Sequence, residues 1–133
     1  MPKTATQQEK LDYLNEYVRS RGYAHRTHRL LANYDLDAFK AMNPVPVRTA
    51  VDQRILEQQT KELLLIVNFA CLRAPRYIIA THIRKALAFG ATQRRILEAI
   101  EMLMPEAGRT IFEEALLAWD EVVSRAPTKR QEG

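Results

Sequence analysis

The residues with the greatest chemical capacity lie between Thr60 and Glu98, in TKELLLIVNFACLRAPRYIIATHIRKALAFGATQRRILE. His82 falls in the middle of a helical pattern. Glu62 precedes it by 20 residues and stands at the mouth of the apolar run LLLIVNFAC. An imidazole and a carboxylate that enter one apolar layer are the minimum equipment for proton transfer in a dry pocket. A histidine among apolar neighbours favours its neutral form unless a carboxylate supports the charge, so it can change protonation near neutral pH. Glu62 reads either as a paired structural acid or as a general base, with Lys61, Arg76 and Arg84 as possible partners. On spacing alone the plainer account remains open: a core histidine satisfied by a carbonyl, and an ordinary ion pair.

Around this pair stand Arg73, Arg76 and Arg84, which bracket the turn between two helical patterns. A guanidinium grips a carboxylate through a two-point fork. Three of them near one histidine predict a site for an organic acid, against the alternative of a solvated basic face. Tyr77 can offer a phenol to the same pocket. The apolar residues Leu65, Phe69, Ile78 and Phe89 are expected to wall it. Arg84 and Lys85 are expected to point away from the His82 face, toward solvent or a pocket rim. Cys71 has no second thiol and is expected to be buried and inert. Asn68, polar within the apolar run, is expected to need a buried partner. His25 and His28, in RSRGYAHRTHR, share one helix face. Two histidines without a third ligand make a weak metal site, so no metal is expected. The same patch carries no nucleic-acid reading motif.

The elements that must position these groups read as helical throughout, so the fold class is all-α. Thr6 with Glu9 forms a capping box, followed by the stripe Leu11, Leu14, Val18 and a stop near Gly22. Helices follow over about Ala24 to Asn33 and over LDAFKAM, the latter capped by Asp35 and stopped by Pro44 and Pro46. The segment from Asn43 to Ala50 reads as a linker. A central helix from about Asp52 to Leu72 becomes apolar on every side after Glu62, so it should be buried on all faces. Its hydrophobicity exceeds what one small bundle covers, which predicts shelter by another subunit. The His82 helix starts in the turn at Pro75 and stops at Gly90. It turns Ile78, Ile79, His82, Ala86 and Phe89 to one face. Thr92 caps a helix with Ile96, Leu97, Ile100 and Leu103 inward, broken by Pro105 and Gly108. A last amphipathic helix runs from about Thr110 to Ser124.

The bulk numbers agree with a folded domain. The chain has 133 residues, 47% of them apolar, enough for one core. Twenty cations against 16 anions give a net charge of +4, short of the imbalance of a nucleic-acid tail. The single cysteine excludes an intrachain disulfide. The polar opening MPKTATQQEK and the short Leu63–Leu72 apolar stretch predict a cytoplasmic protein without a membrane span. The expected organisation is an N-terminal helix within residues 1–24, a main domain over 25–124 and a frayed, disordered tail over 125–133.

The words TKELLLIV, THIRKALAFGATQRRILEAI and Gly108 in PEAGR resemble the carboxymuconolactone decarboxylase family. That family shares its fold with the alkylhydroperoxidase AhpD-like proteins. The resemblance covers about residues 25 to 123. It implies an AhpD-like bundle of six to seven helices and a homo-oligomer, commonly a trimer or hexamer, with sites near subunit contacts. It matches His82 to the family's functional histidine and Glu62 to its acid. The Cys-x-x-Cys pair of the peroxidase branch falls on Pro75 and Ile78, so a dithiol peroxidase cycle cannot run on this chain alone. The acid that the decarboxylase branch often carries before its histidine is replaced by Tyr77, Ile78 and Ile79. The expected function is a cofactor-free lyase or isomerase-type enzyme acting on a small carboxylated lactone or related organic acid. His82 and Glu62 are its catalytic pair, and Arg84, Arg76, Arg73 and Tyr77 its substrate-binding groups. An AhpD-like peroxidase and a non-enzymatic oligomeric binding protein stand as the alternatives.

Overall fold

The computed structural model describes residues 3–125. The described residues are helical, without strands, and the chain divides into two compact units, Met1–Asp52 and Gln53–Gly133. The expected tail lies, beyond Arg125, outside the described residues.

The first unit holds α1 (Gln7–Arg21), α2 (Arg26–Tyr34) and α3 (Leu36–Met42). Thr6 starts α1 as expected: its hydroxyl accepts from the Glu9 amide at 3.1 Å and the Glu9 carboxylate accepts from the Thr6 amide at 2.7 Å. Gly22 ends it in the left-handed region at φ 81, where only glycine is unstrained. Asp35 caps α3 through Oδ1, which accepts from the Ala38 amide at 3.0 Å. The core of this unit is Tyr17, Ala32, Leu36 and Phe39. The expected stripe on α1 is corrected: Leu11 and Val18 are exposed, and the buried face carries Tyr17 and Arg21 instead. Large rings fill the space, with Tyr13 and Tyr17 meeting Phe39 edge-on at 5.1 and 5.2 Å.

The segment expected to be a linker is helical. A short turn, α4 (Pro44–Pro46), leads into a π-helical turn, Val47–Val51, closed by the Asp52 amide donating to the Val47 carbonyl at 2.8 Å. The prolines end α3 but suit a first turn, whose amides lack intrahelical partners in any case.

The second unit holds α5 (Gln58–Cys71), α6 (Arg76–Ala88), α7 (Gln93–Glu101), α8 (Leu103–Ala107) and α9 (Arg109–Arg125). Helices α5 and α6 pack antiparallel, with α9 against both. Ile66 of α5, Ile83 of α6 and Ile96 and Ile100 of α7 are fully buried. Thr92 caps α7 by accepting from the Arg95 amide at 3.0 Å, and the expected inner residues Ile96, Ile100 and Leu103 are all in the core. Trp119 of α9 donates its indole N–H to the Gln93 carbonyl at 3.0 Å, which ties the last helix to the start of α7.

The central helix departs from expectation in two respects. It begins at Gln58, after an irregular stretch, and it is not covered on all sides. Ile66 and Ala70 face the core, whereas Leu64, Asn68 and Cys71 are exposed. Asn68 therefore needs no buried partner, and the Cys71 thiol is not buried. A small unit offers neighbours to one side of a helix only, so an apolar sequence on the other side stays uncovered within it.

Candidate functional site

Residues Glu62 and His82 meet. The carboxylate enters from the first turns of α5 and the imidazole from the middle of α6, and His82 Nδ1 lies 2.7 Å from Glu62 Oε2. Their exposures are 1% for Glu62 and 5% for His82, so the bond is made out of water. The antiparallel packing of the two helices creates this register. The Phe69 ring stacks on the imidazole at 5.0 Å with 23° between planes. A buried carboxylate requires partners for both oxygens. Glu62 Oε1 finds its partner in Lys85 Nζ at 3.3 Å.

Lys85 is the residue that sequence reasoning misplaced. It was expected to point away with Arg84, yet it stands one turn beyond His82 on the same side of α6 and reaches the same carboxylate. Positions i and i+3 of a helix are neighbours, so the spacing permits this contact without requiring it. A long aliphatic stem can lie against apolar surface while its ammonium finds a charge.

The three arginines part company. Arg76 is engaged by α9: its Nε lies 3.2 Å from Glu114 Oε2 and its Nη1 lies 3.0 Å from Glu121 Oε1. Hydrogen bonding to Arg76 holds the Glu114 carboxyl below its usual range, and the guanidinium is held more firmly charged by the same two carboxylates. Arg76 thus pins α6 to the last helix and does not partner Glu62. Arg84 is exposed and donates to the Thr81 hydroxyl at 3.3 Å. Arg73 is exposed in the turn between α5 and α6, with its backbone in the left-handed region at φ 55. Tyr77, the second residue of α6, is 46% exposed. Of the expected wall, Phe69 covers the imidazole, while Leu65 and Ile78 are half-buried and Phe89 is exposed at the end of α6.

A cleft of about 440 Å³ opens where residues 53–59 approach Phe89. His82 does not line it. Gln59 braces its floor, donating to the Phe89 carbonyl at 3.2 Å and accepting from Arg95 Nη1 at 2.8 Å. Gln59 precedes Glu62, and Lys85 precedes Phe89, by about one helical turn each. The cleft therefore sits one turn along the helix pair from the Glu62–Lys85 contact.

Elsewhere, in the first unit, His25 and His28 stack with ring centroids 5.4 Å apart. Among the described residues no group of three or more His, Cys, Asp or Glu side chains converges as a metal site would. No described helix is long and apolar enough to cross a membrane.

No curated protein and no solved structure matches the chain. The family described as "Carboxymuconolactone decarboxylase family" does match, over residues 39–121. That span contains α5, α6, the Glu62–His82 bond and the capped α7, and it exceeds half of the 133 residues. The chain is a member of the carboxymuconolactone decarboxylase family, with its all-helical AhpD-like fold.

Proposed function

We propose that this protein is an acid–base enzyme that decarboxylates a small carboxylated lactone or a related organic acid without a cofactor. The observation that carries the reading is the buried 2.7 Å bond between His82 and Glu62. A carboxylate on Nδ1 fixes the imidazole tautomer and orientation and stabilises the imidazolium when it forms, so Nε2 becomes the working nitrogen. In the reaction, the bond from carbon to the substrate carboxylate breaks. Its electron pair passes into the conjugated lactone carbonyl, which becomes an enolate, and CO2 leaves. The imidazolium of His82 then gives a proton to the carbon left behind. The electron sink belongs to the substrate, so the protein supplies only proton transfer, orientation and exclusion of water. Arg84 and Arg73 are the proposed holders of the substrate carboxylate, and Tyr77 a second donor. Arg76, committed to Glu114 and Glu121, is left out of this role.

The test is CO2 release from a panel of carboxylated lactones by the wild-type protein and by His82→Gln. The substitution should lower the rate by roughly 10²-fold or more, the scale of a lost general acid/base. A variant that keeps every activity and ligand affinity would defeat the reading and favour a binding protein. Peroxide consumption driven by a thiol reductant and abolished by Cys71→Ser would favour the redox branch of the fold instead.

A further inference from the structure

Glu62 is shared. One oxygen meets the His82 ring at 2.7 Å and the other meets the Lys85 ammonium at 3.3 Å, with the carboxylate 1% exposed. We propose that Lys85 is a positioning residue that, through Glu62, sets which protonation state His82 rests in. The inference deepens the acid–base reading of the same site and rests on it for its functional meaning only.

The argument is a charge count in a dry place. A buried cluster is least costly when its charges sum to zero. With Lys85 charged, Glu62 is already balanced, and a proton added to His82 would leave the cluster with a net positive charge. The charge count therefore favours the neutral ring, with Nδ1–H donating to Glu62. Without Lys85 the oxygen it contacts loses its cation, and the balance shifts toward an imidazolium facing the carboxylate. Lys85 accordingly makes the resting histidine a proton acceptor. Any proton it later gives to a substrate carbon is one it has first taken from substrate or solvent.

Other charged groups stand near the pair. On α5, Lys61 is buried beside Glu62 in sequence. On α6, Arg84 is exposed and bonded to Thr81. From α9, Glu114 and Glu121 are held by Arg76, and from α7, Arg95 is held by Gln59. Lys85 and the histidine each contact Glu62 directly, one on each carboxylate oxygen.

The experiment is an NMR titration of the His82 ring in histidine-labelled full-length protein, its signals assigned by their loss in His82→Gln. It needs no substrate. Lys85→Met and Lys85→Gln should each raise the midpoint of the His82 titration by about one pH unit or more, the usual effect of a nearby charge. Lys85→Arg should restore it, and the His25 and His28 signals should not move. Lys85→Gln keeps a hydrogen-bond donor of smaller size, so it carries the test if the methionine variant fails to fold. An unmoved midpoint in a folded neutral variant, or an equal shift in Lys85→Arg, overturns the proposal. Loss of the enzyme reading would leave this coupling intact, and loss of the coupling would leave the His82→Gln rate effect intact, so the two fail separately.

Discussion

At the scale of single residues, Arg73 is the non-glycine residue with a positive φ among the described residues; its φ of 55 is a left-handed value without glycine's freedom. It follows the end of α5, the place where glycine ordinarily closes a helix. A non-glycine residue there costs about 1 kcal/mol. Arg73→Gly should therefore raise the thermal unfolding midpoint by a few degrees, and calorimetry checks it. If Arg73 also holds the substrate acid, the same variant should bind carboxylate ligands more weakly while being more stable. A variant that is more stable with unchanged ligand affinity would assign Arg73 to the turn alone. The pair Glu62 and His82 shows the reverse relation between visibility and context. Each was legible as a chemical type in an apolar setting. Their partner Lys85 was not, because an alternation of charged and apolar residues does not say which lysine stem turns inward.

At the scale of elements, α2 is secured by a side chain rather than by a conventional cap. The His28 Nδ1 accepts from the His25 amide at 3.0 Å, which makes Nε2–H the donor toward the Tyr17 hydroxyl at 3.2 Å. Burial first, then the nearby His25 and Arg21, lower the His28 pKa to about 4. The sign follows directly. The unfolded chain titrates this group near 6.5 and so binds more protons than the folded one between the two values. The contribution is complete above about pH 6.5, declines as the pH falls toward 4 and changes no further below it. The unfolding midpoint should fall over that window, and His28→Gln should flatten the part due to this residue. An identical pH dependence in the variant would show that carboxylates elsewhere account for the acid sensitivity. A second element-scale expectation concerns Arg76, which ties α6 to α9. Arg76→Ala should speed amide exchange in the middle of α9, near Glu114 and Glu121, more than in α7.

At the scale of the whole molecule, α5 and the turn after it keep large apolar groups in water. Leu64 is 49% exposed and Leu72, just past the helix, is 76% exposed. Large apolar groups left in water on a central helix favour association, and we propose a homo-oligomer, a trimer or hexamer, that shelters them. Sedimentation at micromolar concentration should show a species heavier than the 15.4 kDa chain, and Leu64→Glu with Leu72→Glu should shift it toward the monomer. A wild-type protein that sediments only as the single chain would sink this expectation. By itself the sequence determined the all-helical class, the capping box at Thr6, the stops at Gly22 and Gly90, the caps at Asp35 and Thr92, and the likeness of the segment around His82 to its family. Those are local matters: periodicity and cap chemistry are written in neighbouring residues. Tertiary structure alone decided that Glu62 and His82 touch, that Lys85 joins them, that Arg76 serves α9, and that Asn68 and Cys71 face outward. Each depends on which residues a neighbouring helix presents at a given register, and no spacing along one chain segment carries that information.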